Sequence, residues 1–233
     1  PQKLTWWRWT KARTINILGA FCSMVFVTMI SVAQIPINCY SHPNDVGRSV
    51  RAYPDIICGD GGSHNTMLIF CCALFLLAFA FYAACVFATI GAPKWSADKA
   101  IGNEFLVATR FLFIRYRVEG WYWGVFLLMR SVLIALTPTF VPDEPHAQLI
   151  IFCAIFTFFI AMHMRLWPWK VPLLNVVEVV IMAMLLLTVT TASSPAGFNG
   201  PLLITYLVIA YLGAQLVLVV AGISLVHVFS ILK

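Results

Sequence analysis

Hydrophobic positions in this chain run on without a helical or strand alternation. Six stretches, residues 14–37, 65–90, 121–141, 147–166, 173–192 and 202–232, are almost wholly apolar. A helix crosses a bilayer core of about 30 Å with about 20 apolar residues, so each stretch predicts one membrane span. Pro36 closes the first, because a proline drives the preceding residue out of helical geometry. The last is long for one crossing and is expected to tilt, or to bend near Gly213 or Gly222. The expected fold class is all-α: a polytopic bundle of six transmembrane helices forming one domain over residues 1–233. The chain opens at Pro1 with no leader pattern and is expected to be the C-terminal part of a larger protein.

Composition supports this. The chain is 61% hydrophobic and 10% charged, whereas soluble domains carry about a quarter charged residues. The charges also alternate between loops. Lys3, Arg8, Lys11 and Arg13 precede the first span. Lys94, Lys99, Arg110, Arg115 and Arg117 separate the second from the third. Arg165 and Lys170 join the fourth to the fifth, and Lys233 follows the sixth. The alternate loops contain Asp45, Asp55, Asp60, Asp143 and Glu144, with Arg48 and Arg51 as their basic residues. Basic loops stay cytoplasmic, so both termini are expected there. The net charge of +6 therefore orients spans rather than binding nucleic acid.

Tryptophans cluster at the same ends: Trp6, Trp7 and Trp9, then Trp121 and Trp123, then Trp167 and Trp169. Amphipathic rings favour the headgroup level, and these are expected as interface anchors. Residues 92–120 are apolar but interrupted by charge, with Asn103, Arg110 and Arg117 recurring every seven residues. They are expected to form a cytoplasmic interfacial linker helix whose basic residues face membrane lipid.

Cys39 and Cys58 both fall in the first exterior loop. In an oxidising compartment they are expected to pair. The other cysteines lie within spans and read as small apolar residues. No CxxC or HxxxH spacing supplies a metal site. The segment CGDGGSH, residues 58–64, holds an acid, a serine and a histidine, but its glycines read as a turn. No GxSxG, HExxH or phosphate-binding loop occurs, so neither an enzyme nor a cofactor is expected.

Two charges interrupt spans: Arg130 in the third and Glu178 in the fifth. At about 1.5 Å per residue they lie about 14 Å beyond Trp121 and about 9 Å beyond Pro172. An arginine stem can snorkel across such a difference. Asn175 shares the helix face of Glu178, three residues away. Arg130, Glu178 and Asn175 are therefore expected as a buried ion-pair or gating cluster.

The stretches RFLFIRYRVEGWYWGVFLLMRSVLIALTPTF and MRLWPWKVPLLNVVEVVIMAMLLLT carry a resemblance. They are similar to the C-terminal membrane region of protist TRP-like, polycystin-like multipass proteins, over about residues 105–192. The resemblance implies cation-channel ancestry and a large cysteine-rich extracellular part upstream. The loop SSPAGFNGP, residues 193–201, is too short for a pore helix and filter. Two functions follow as expectations. The first is a channel or transport-type domain, with Arg130, Glu178, Asn175 or Gln215 on a hydrated path. The second is a non-conducting anchor or scaffold for a large extracellular or multi-subunit assembly. Other membrane or extracellular subunits, or a homo-oligomer, are the expected partners, in a plasma or ciliary membrane.

Overall fold

The computed structural model describes residues 10–42, 47–98, 102–142 and 144–192. Within them, five helical segments are long and apolar enough to cross a membrane: Lys11–Ile37, Ser63–Ala97, Val118–Phe140, Pro145–Leu166 and Pro172–Thr191. They coincide with the first five expected spans. The sixth, at 202–232, lies outside the described residues. The chain divides into two compact units, Pro1–Pro142 and Asp143–Lys233.

The first unit is built on α1 (Lys11–Ala33), α2 (Ser63–Ala97) and α5 (Trp123–Phe140). Their outward faces are apolar: Met24 is 75% exposed, Phe70 72% and Ile90 72%. A helix that is apolar all round suits lipid rather than water. Polarity therefore cannot decide which face turns inward, and size does. On α2 the buried positions include Cys71, Ala78, Cys85 and Ala92, each seven residues after the last. Small residues let helix backbones approach closely where no hydrophobic effect drives association. Phe26 of α1, 1% exposed, fills the space this leaves, with its ring 5.8 Å from Phe81 and 6.3 Å from Tyr82.

The far end of this bundle is tied by amides and hydroxyls. Gln34, 4% exposed, donates to the Ile30 carbonyl (2.9 Å) and accepts from the Thr139 hydroxyl. The Asn38 amide donates to the same hydroxyl (3.4 Å), so α1 and α5 end together. Beyond them the chain forms a small antiparallel sheet, β1 (Cys39–Ser41), β2 (Arg48–Val50) and β3 (Tyr53–Ile57), in the order β1-β2-β3. The described chain is mostly helical as expected, and this small sheet is an unexpected addition to the helices. Strands of three to five residues carry too little alternation to be read, and Pro54 is compatible with β3 because β3 is an edge.

The linker expected as one helix is divided. Residues 92–97 belong to α2, and α3 (Gly102–Ala108) and α4 (Arg110–Phe113) follow, separated at Thr109. A 3₁₀ turn, Val118–Gly120, leads into α5. Nor does α4 lie free on a surface. The Phe111 amide donates to the Asn16 side chain of α1 (2.7 Å), and Leu112 is 4% exposed. On the other side α4 meets Gly124 of α5. A side chain there would place its Cβ 2.8 Å from the Leu112 carbonyl oxygen. Gly124→Val should therefore cost about 1–3 kcal/mol, since backbone cannot yield cheaply. Thermal unfolding of the full chain in detergent measures it. Gly61→Ala, with nothing within 4 Å of its Cβ, should change little.

The second unit contains α6 (Pro145–Leu166) packed against α7 (Pro172–Ala192). Both helices begin at a proline, whose fixed φ and missing N–H suit the first helical position. Helix α6 stops where Trp167 adopts a left-handed conformation, φ 47°. Pro168 behind it is fully buried, and the chain turns back within five residues.

Candidate functional site

The second unit brings Asn175 and Glu178 together, on adjacent turns of α7, around one residue that sequence reasoning had assigned elsewhere. That residue is Trp169. Its backbone N–H donates to Asn175 Oδ1 (2.9 Å), and its carbonyl accepts from Asn175 Nδ2 (3.1 Å). Its indole N–H donates to Glu178 Oε2 (2.8 Å). Asn175 is 0% exposed, so its amide replaces the solvent that the turn's backbone would otherwise need. Residues three apart on a helix share a face, which made the Asn175–Glu178 pairing legible. Trp169 had been expected as an interface anchor, and its role depends on the backbone reversal at Trp167.

Arg130 lies in the first unit, apart in the chain from that cluster. It lines a cavity of about 200 Å³ with Arg115 and Tyr116, from the stretch after α4, and with Ser23 of α1 and Ser131 of α5. Leu112 and Leu127 form part of its apolar wall. A second cavity of about 130 Å³, lined by residues such as Phe26, Phe75 and Met129, is apolar throughout.

The tryptophans separate into different environments. Trp123 is 0% exposed and stacks on Phe126 with rings 3° from parallel, so packing holds it rather than headgroup contact. Trp121 is half-buried, 6.3 Å from Phe113. Trp167 and Trp169 are half-buried. Trp6, Trp7 and Trp9 lie outside the described residues, as does Gln215.

Cys39 and Cys58 form the expected disulfide, with Cα atoms 6.5 Å apart. It joins the start of β1 to the residue after β3. His64 sits beside it. The Gly59 N–H donates to His64 Nδ1 (3.3 Å), which leaves the proton on Nε2, and that nitrogen donates to the Pro36 carbonyl (3.1 Å). The CGDGGSH segment thus folds as a turn into α2, with its histidine bracing the sheet against the end of α1. The two sulfurs and a His64 nitrogen lie within 4.8 Å of one another. Both sulfurs are committed to their mutual bond, so in this state they are not thiolate ligands.

Comparison with protein-family models, with curated proteins and with solved structures finds no match to this chain.

Proposed function

We propose that the chain is an integral, multi-pass membrane domain with both termini cytoplasmic, and that it anchors a larger extracellular or multi-subunit assembly without conducting ions. The observation that carries this reading is the commitment of Asn175 and Glu178 to Trp169. These are the two groups on α7 best suited to line a cation path, and here they hold a turn. The first unit points the same way. A cavity lined by Phe26, Phe75 and Met129 is apolar, and a second is lined by two arginines, Arg115 and Arg130. Cation selectivity relies on carbonyl or carboxylate oxygens. The cysteine-clamped sheet adds a rigid exterior surface of the kind an upstream extracellular module would adjoin.

The test is ion flux. The full chain, reconstituted in liposomes with a potassium gradient and an internal fluorescent reporter, should pass no more cation than protein-free liposomes. Reproducible flux above that level overturns the anchor reading. It would favour the channel-like function implied by the TRP-like, polycystin-like resemblance.

A further inference from the structure

We infer that the cavity between α1, α4 and α5 binds an anionic phospholipid, with its phosphate held between Arg115 and Arg130. The inference needs only that α1 and α5 lie in a bilayer. It stands whether or not the protein conducts.

The chemistry of the lining sets the ligand class. Two arginines, from different parts of the chain, line one space of about 200 Å³. Each arginine carries five N–H donors in a planar fork. That fork matches phosphate geometry and desolvates more readily than an ammonium group. The two serines contribute differently. Ser23 donates its hydroxyl hydrogen to the Gly19 carbonyl (2.8 Å), and Ser131 donates to that of Leu127 (3.1 Å). What they still offer the cavity is acceptor lone pairs, which suit a headgroup or glycerol hydroxyl. Leu112 and Leu127 provide an apolar wall that a free inorganic anion would not use. One cavity thus combines cationic donors, neutral acceptors and an apolar surface. An anionic phospholipid presents the matching groups in one molecule.

Position fits the same ligand. Arg130 lies seven residues into α5, about 10 Å along its axis. Arg115 precedes the helix, in the stretch that ends at the Trp121–Tyr122 ring pair. Basic pockets between membrane helices near the headgroup level are sites where anionic lipid can enter.

The site is also built, not incidental. The Phe111 amide is held by Asn16, and the Phe111 ring lies where a Cβ on Gly19 would be. Gly124 lets α5 approach the Leu112 carbonyl. These three contacts fix α4, and with it the path of the chain to Arg115.

Native mass spectrometry of the full chain in neutral detergent tests the inference. The probes are short-chain phosphatidylglycerol, short-chain phosphatidylcholine and inorganic phosphate. Phosphatidylglycerol should bind saturably at one site, and the other two should bind at least about tenfold more weakly. Arg115→Gln and Arg130→Gln should each weaken phosphatidylglycerol about tenfold, the loss of a charge-assisted contact. Arg110→Gln, exposed and outside the cavity lining, should leave binding unchanged. Arg115 is exposed, so Arg115→Gln keeps the test alive if the Arg130 variant does not fold. Equal binding of inorganic phosphate overturns the lipid assignment. An equal loss in Arg110→Gln shows surface adsorption and overturns the site. No saturable binding by the parent chain overturns both.

Discussion

Asn175→Ala is expected to lower the unfolding temperature of the full chain more than Trp169→Phe does. Asn175 has no exposed surface, and it satisfies both the N–H and the carbonyl of Trp169. Alanine would leave both backbone groups without that partner in a site closed to water. Each orphaned group costs about 1–3 kcal/mol. Trp169→Phe removes the indole donor to Glu178 and keeps both backbone bonds to Asn175. Thermal unfolding in detergent, followed by circular dichroism at a helical wavelength, ranks the two. If Trp169→Phe loses more, the indole rather than the amide holds the turn. If Asn175→Ala loses nothing, the amide is not the clamp. Reconstituted flux measured on the same variants then separates a structural role from a conducting one.

Cys58→Ser should cost about 3 kcal/mol under the chain-entropy model, for a bridge between residues 19 apart. Cys39→Ser and the double variant should lose the same amount, because all three remove one bond. A single variant that loses more than the double would show that the orphaned thiol itself does harm. Reduction of the parent chain should reproduce the loss, read as a lower unfolding temperature. The effect belongs to the segment between α1 and α2. There, His64 adds a second brace from Gly59 to Pro36. His64→Ala should therefore cost more in the Cys58→Ser background, where no covalent tie remains, than in the parent. A cost that is equal in both backgrounds would mean that the two braces act independently.

Hydropathy sufficed for the five long helices because membrane spans need only length and apolarity, and both are visible residue by residue. The cysteine pair was legible because Cys39 and Cys58 share the one long loop between the first two expected spans. Other features depend on geometry that composition does not encode. The seven-residue recurrence of Asn103, Arg110 and Arg117 read as one helical face, yet the helix breaks at Thr109. A stronger signal in the same sequence was the recurrence of small residues at Cys71, Ala78, Cys85 and Ala92, which marks the face of α2 that packs inward. Trp169 could not have been found from its neighbours. Its role depends on the left-handed turn at Trp167, a conformation uncommon for a bulky residue. Trp123 misled for a related reason: an aromatic at a helix start serves an interface or a core equally well, and only packing decides.

Helix α2 has 35 residues and is about 52 Å long, against a hydrocarbon thickness of about 30 Å. It cannot stand upright within a bilayer without an overhang. Its last turns carry Trp95, whose ring covers Gly91 and meets Phe87 at 5.1 Å and Phe105 of α3 at 5.4 Å. A helix of this length set across a thinner bilayer must lean or protrude further, with the Trp95–Phe105 contact to α3 at its end. The long helix thus outruns a single hydrocarbon core and meets α3 through that ring contact.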